Sequence, residues 1–292
     1  MASLKTLKKR IQSVQSTRKI TAAMRMVATS YYRRYQAQVM PLRHLNAELT
    51  SCLKTVYFAT PLEGAVDPFV ANKKPVTNHL ILVLGTDRGL CGSFNVKLLN
   101  YTQSMISQLN EQGQKVSVLC VGHRLLSMIS LLSGAHAVRG CDVDYKKIMD
   151  FIVPFVAQLK SLQRSNTIQA CSVVYGSHES AIYSKPQLLS LMPIFKPEDL
   201  ANKEDSIEPF FGSEPAPSDF MERFTPEIVK TLLQQALIES KASEESTRMV
   251  AMENATKNAD EMIRKLNIEF NRNRQASITK ELIEIISGAE AV

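Results

Sequence analysis

Apolar residues recur every three or four positions at both ends of the chain and gather into short unbroken runs in its middle. Near the N-terminus the stripe passes through Leu4, Leu7, Ile11 and Val14. It then skips Ser16, Thr17, Arg18 and Lys19 and resumes at Ile20, Met24, Val27, Tyr31, Tyr35, Val39, Leu42, Leu45, Leu49, Leu53 and Val56. This spacing lies along one face of a helix. Ser3 is placed to cap that helix. Pro41 is expected to kink it or interrupt its hydrogen bonding without ending it, because the stripe resumes in phase.

A second helical stripe begins at Ile228, Leu232, Leu233 and Leu237. Thr225-Pro226-Glu227 reads as its start, with a capping threonine, a proline in the first turn and an acid at the positive end of the dipole. Small residues follow at Ala242, Ser243, Ser246, Ala251, Ala255 and Ala259. They predict a thin region of close helix approach over 242–259. Large residues return at Met262, Ile263, Leu266 and Phe270, then at Ile278, Leu282, Ile285 and Ile286, and Gly288 is expected to end the helix. The first 57 residues contain no glycine, and Glu227–Ser287 contains neither glycine nor proline. At 1.5 Å rise per residue each helix would run roughly 80–90 Å, too long to bury in an ordinary globule. The expected arrangement is an antiparallel coiled coil made from the two ends, with a folded body between them.

The middle has a different rhythm. His79–Leu84, Lys115–Val121 and Ala170–Tyr175 are short apolar runs, each followed by a glycine, and resemble buried strands of a parallel sheet. Helical patterns at Asn95–Asn110 and Tyr145–Gln163 lie between them. The alternation predicts a small Rossmann-like α/β domain over about 77–195. Residues 196–224, rich in proline and acids, read as a linker. The fold class is therefore α/β with a long antiparallel coiled coil, divided at 1–58, 59–225 and 226–292.

Charge changes the picture more than composition does. The net +7 hides an uneven division: +10 over residues 1–57, −1 over 58–225 and −2 over 226–292. An acidic partner is expected for the first helix. No run of 18 apolar residues occurs, so no membrane span is expected. The basic N-terminus continues the helix pattern and lacks the apolar run of a secretory signal, so it reads as mature protein. Five scattered cysteines without CxxC spacing read as reduced thiols.

Candidate chemistry is sparse. Gly85-Thr-Asp-Arg-Gly-Leu-Cys-Gly92 stands between a strand and a helix, where dinucleotide folds cradle phosphate, but it matches neither GxGxxG nor GxxxxGK[ST]. A tight turn with Asp87 and Arg88 hydrogen-bonded or paired accounts for it better. The five histidines have no ligand spacing, and no nucleophile–base or carboxylate pair stands out. No catalytic residue, cofactor site or metal site is expected. On residues alone, a nucleic-acid-binding coiled-coil adaptor remains an alternative. The N-terminal bases, however, mix with Met and Ala rather than stacking aromatics, and no reading motif is present.

Four segments fit together: Lys19-Ile-Thr-Ala-Ala-Met-Arg-Met-Val-Ala28, Thr86-Asp-Arg-Gly-Leu-Cys-Gly-Ser-Phe-Asn95, Arg248-Met-Val-Ala-Met-Glu-Asn-Ala-Thr-Lys-Asn-Ala259 and Arg274-Gln-Ala-Ser-Ile-Thr-Lys-Glu-Leu-Ile-Glu-Ile-Ile-Ser-Gly-Ala289. They closely resemble the signatures of the gamma-subunit family of F-type ATP synthases. The resemblance implies a central rotor stalk, one copy per assembly, whose partners are the α and β subunits of the catalytic hexamer, epsilon and the c-ring, with no nucleic acid. It implies contact with β subunits through Arg18, Lys19, Met24, Arg25, Arg274, Gln275, Thr279 and Glu281. Leu282, Ile285 and Ile286 would form an apolar bearing, and Phe210 and Phe211 a foot on the c-ring. Membrane association would come only through the complex. The expected location is the cytoplasmic side of a bacterial inner membrane, with the matrix side of the mitochondrial inner membrane as the alternative.

Overall fold

The computed structural model describes residues 4–59, 69–71, 75–129, 133–178, 184–195 and 217–290. Ten elements follow in order: α1 (Leu4–Ala59), β1 (Asn78–Leu84), α2 (Phe94–Glu111), β2 (Lys115–Val121), α3 (His123–Ile129), β3 (Ala137–Cys141), α4 (Ile148–Arg164), β4 (Ala170–His178), β5 (Ser184–Met192) and α5 (Pro217–Glu290). Two compact units result, one of residues 1–30 with 248–292 and the other of residues 31–247. The divisions cut through both long helices rather than falling at their ends.

The larger unit is built on a five-stranded sheet of order β3-β2-β1-β4-β5. The first four strands are parallel and β5 runs antiparallel to β4. Helices α2 and α3 cover one face. In α2 the side chains of Phe94, Leu98, Thr102, Ile106 and Leu109 are buried, the helical spacing of a single face. They meet Ile81, Val83, Val118 and Val174 from the sheet. On the other face α4 packs with the inner stretches of α1 and α5. Leu53 and Tyr57 join Ile228, Val229, Leu233 and Leu237 against Leu82, Leu84, Val173 and Leu191. The two long helices are thus part of this unit's core.

The strands expected at 79–84, 115–121 and 170–175 are β1, β2 and β4, the last three residues longer at its carboxyl end. β3 and β5 were not read from the sequence. Both lie at the sheet edges, where an exposed or interrupted pattern suffices: β3 is five residues with partial burial, and β5 contains Pro186, which an edge tolerates.

Two helix boundaries differ from expectation. α5 starts at Pro217, with Pro226 inside it. The Thr225 hydroxyl is no cap: it donates to the Met221 carbonyl 2.6 Å away, one turn back within the helix. Buried Met221 and the packed rings of Phe220 and Phe224 hold these added turns to the core. At the other end α5 continues through Gly288 to Glu290. A glycine ends a helix when the chain turns left-handed there, and this one does not turn. Pro41 leaves α1 unbroken, as its in-phase stripe implied.

Candidate functional site

In the smaller unit α1 and α5 run antiparallel. Arg18 Nε lies 2.5 Å from Asp260 Oδ1, the Thr21 and Thr256 hydroxyls are 2.8 Å apart, and Arg25 Nη1 lies 3.8 Å from Glu253 Oε2. Partner numbers fall as α1 numbers rise. The α1 side of the seam steps alternately by three and four: Leu4, Leu7, Ile11, Val14, Arg18, Thr21, Arg25, Ala28. This is a heptad pattern, and it runs without a break through the supposed gap. On α5 the buried Met252, Ala259 and Leu266 repeat every seven residues.

The polar stretch at 16–19 therefore does not interrupt the seam. Arg18, Thr21 and Arg25 occupy it, each with a partner across the coil. The apolar residues assigned there are displaced outward: Ile20 is 59% exposed and Val27 53% exposed, and Met26 beside them is 62% exposed. Reading apolar as buried failed here because the short polar seam satisfies its own hydrogen bonds. The outer face of α1 instead carries exposed apolar side chains among bases, with Lys19 exposed and Met24 half-buried.

The Arg18–Asp260 register places Leu4 opposite residues 273–274. Helix α5 continues to Glu290, so its residues from about 275 onward, about 24 Å of helix, extend past the described start of α1. Arg274, Gln275, Thr279, Glu281, Leu282, Ile285 and Ile286 cluster on or beside this segment, and all are exposed. The Thr279 hydroxyl donates to the Gln275 carbonyl at 2.9 Å, and that of Ser277 to Glu281 Oε1 at 3.3 Å. Ile278, Leu282, Ile285 and Ile286 line one apolar face at helical spacing. Arg18, Lys19, Met24 and Arg25 form a separate group beside residues 253–260. Phe210 and Phe211 lie outside the described residues.

A third constellation, in the larger unit, was not anticipated. Glu239, 1% exposed, accepts hydrogen bonds from Arg43 Nε at 2.7 Å and Nη2 at 2.8 Å. The same Nη2 donates to the His178 carbonyl at 2.9 Å, and His178 Nε2 meets the Tyr32 hydroxyl at 3.2 Å. Burial lowers the His178 pKa, and the Arg43 cation lowers it further. Lys241 pairs with buried Glu244 at 2.7 Å, and Arg88 reaches buried Glu245 at 3.8 Å. The sequence signal was available: Glu239-Ser-Lys-Ala-Ser-Glu-Glu-Ser246 combines charges with small residues, which permit burial only if partners surround them. Its small residues serve this approach to the body as well as the thin coil predicted over 242–259.

The turn at 85–92 is structural in its observed bonds. Asn95 donates to the Thr86 hydroxyl at 2.8 Å, and Asp87 Oδ1 accepts from the His123 amide at 3.2 Å. A Cβ at Gly85 would stand 2.3 Å from the Leu125 side chain, so α3 packs directly on the turn. His79 is bonded by Gln114 and Ser172. Among the described residues no group of three His, Cys, Asp or Glu is placed to hold a metal ion, and no helix is long and apolar enough to cross a membrane. Cys91, Cys120 and Cys171 are buried free thiols.

The family described as ATP synthase matches residues 3–292. A protein named ATP synthase gamma chain from Paramagnetospirillum magneticum is 35% identical over the whole of both chains, and its namesake from Rhodospirillum rubrum is 34% identical over the same extent. Among solved structures, a chain in the rotor of the Euglena gracilis mitochondrial ATP synthase superposes with TM-score 0.63 at 20% identity, covering 94% of this chain and 98% of that one. A chain in the central stalk and c-ring of the Tetrahymena thermophila enzyme gives TM-score 0.54 at 20% identity, covering 81% and 99%. At such identities the structures establish a shared fold.

Proposed function

The chain belongs to the family of ATP synthase gamma chains, and we propose that its helices α1 and α5 couple ion flow through the c-ring to ATP synthesis or hydrolysis by turning inside the catalytic hexamer. The observation that carries this reading is the free end of α5. Five large apolar side chains (Ile278, Leu282, Ile283, Ile285, Ile286) are 49–68% exposed on a helix with no described α1 residue opposite. Exposed apolar surface of this kind marks an interaction site. A ring of α and β subunits around the tip covers it, with Leu282, Ile285 and Ile286 as the apolar bearing.

Below the bearing, Arg274, Gln275, Thr279 and Glu281 are exposed hydrogen-bonding groups for β-subunit loops. Further along the coil Lys19 and Met24, with Arg18 and Arg25, face acidic β segments. Arg18 and Arg25 already have carboxylate partners, so each offers only its solvent side, and Lys19 carries the simpler attraction. A turning stalk biases each β subunit only through contacts that differ among that subunit's conformations. The excess charge on α1 and the lone tip of α5 supply such asymmetry. The subunit contributes no catalytic group; chemistry belongs to the hexamer. One copy per assembly, epsilon and the c-ring against the α/β body, and a peripheral position at the cytoplasmic face of a bacterial inner membrane (or the matrix face in mitochondria) complete the reading.

Co-purification of the tagged chain in a large ATPase, at one copy per three β subunits, tests it. A free homodimer, or recovery with nucleic acid alone, refutes it. Met24→Lys tests the placement of α1: ion transport should fall more than ATP hydrolysis, and equal losses would remove Met24 from the coupling surface.

A further inference from the structure

The strand order reverses between β1 and β4, and in open α/β sheets the crevice beyond the carboxyl ends at such a reversal is where ligands bind. Here the chain's own α5 fills it. Ser240 Oγ donates to the carbonyl of Leu84, the last residue of β1, at 3.1 Å, and accepts from the Gly176 amide in β4 at 3.4 Å. The Ser243 hydroxyl meets that of Ser184 at the start of β5. A Cβ on Gly176 would lie 3.0 Å from Ser243 Oγ, so the helix presses on the strand backbone. Arg43 ties the same turn of α5, through Glu239, to the carbonyl of His178 in β4.

We propose that Ser240 and Arg43 are positioning residues that clamp α5 into this crevice, so that turning the α/β body turns the helix without angular slack. The assignment rests on the rotor reading above. An apolar socket resists separation but not small rotations, because apolar contact has no preferred direction. Hydrogen bonds to strand-end main-chain groups do have one, and a planar guanidinium holding a carboxylate at two points fixes an angle as well as a distance. Two strands and α1 hold one turn of α5 from different sides, which defines its rotational setting about its own axis. The crevice that receives a nucleotide in related architectures is thereby used as a mechanical seat.

The test uses the assembled membrane enzyme with turnover arrested and the hexamer fixed, and reads the angular variance of a probe on the α/β body. Ser240→Ala removes both strand-end bonds and spares the packing. Arg43→Lys keeps the charge but loses the two-point hold, so a role in charge alone would survive it. Each substitution is expected to raise the variance about twofold, as the loss of one or two net hydrogen bonds allows. Ion transport should then fall more than ATP hydrolysis. No rise in variance in one variant removes that residue from the assignment, and no rise in both overturns the proposal. Should neither variant assemble, cysteines replacing Ser184 and Ser243 are oxidised to a disulfide in an otherwise native chain. Continued turnover with unchanged or lower variance supports the fixed seat. Arrest on oxidation, or a raised variance, shows that α5 moves within the seat and overturns it. Absence of the unsubstituted chain from the enzyme would instead sink the rotor reading.

Discussion

The same two helices are held in two different ways. In the larger unit, residues 236–240 and 242–246 of α5 are buried in unbroken runs, and polar groups there are accepted because Arg43, Lys241 and Arg88 answer the acids. In the smaller unit the described residues are those of α1 and α5, burial is confined to a narrow seam, and on α5 it reaches Arg248, Met252, Ala259 and Leu266. Cross-coil ion pairs there are half exposed: the Arg18 and Asp260 side chains are 47% and 41% accessible. The lesson is that stability and contact surface have been assigned to different stretches of one helix. Where α5 is surrounded it is anchored, and where it has a single neighbour it presents most of its surface to others.

Substitutions matched across the two units test that division. Leu233→Ala, at a fully buried position in the larger unit, should cost about 2–5 kcal/mol, read as a lower urea midpoint for loss of the sheet. Glu239→Ala strands the Arg43 guanidinium beside His178. The expected loss is about 2–3 kcal/mol, less than for a wholly enclosed pair because Arg43 is 36% accessible. Leu266→Ala, in the coil, should cost about 1–2 kcal/mol because two helices with open flanks can close over the void. A loss equal to that at Leu233 would erase the distinction between the units. Arg18→Ala should shift stability by no more than about 0.5 kcal/mol, as for other exposed ion pairs, with its helicity unchanged by circular dichroism. A loss of several times that size would show the polar seam to be an anchor in its own right.

Much of the fold was legible because it depends on local rules. Absence of Gly and Pro and a three-to-four spacing specify long helices, and apolar runs ending in glycine specify the central strands. β3 and β5 escaped notice because edge strands need little apolar pattern. The start of α5 was misplaced because Thr225-Pro226 satisfies every local rule for a helix start, yet packing of Met221 and Phe224 against the core extends the helix backwards.

For the candidate site the boundary falls in the same place. Residue types and order along the chain determined that there are two long helices, that one carries the excess positive charge, and that the tip of α5 has an apolar face. Tertiary structure alone decided which residues form the seam. A helix has several faces, and Arg18 can lie inward only when Asp260 is opposite. It also decided that Ser240 and Glu239 face strand ends rather than solvent. Pairing between residues some two hundred positions apart depends on register and on partner, and neither is written into the local period of a sequence.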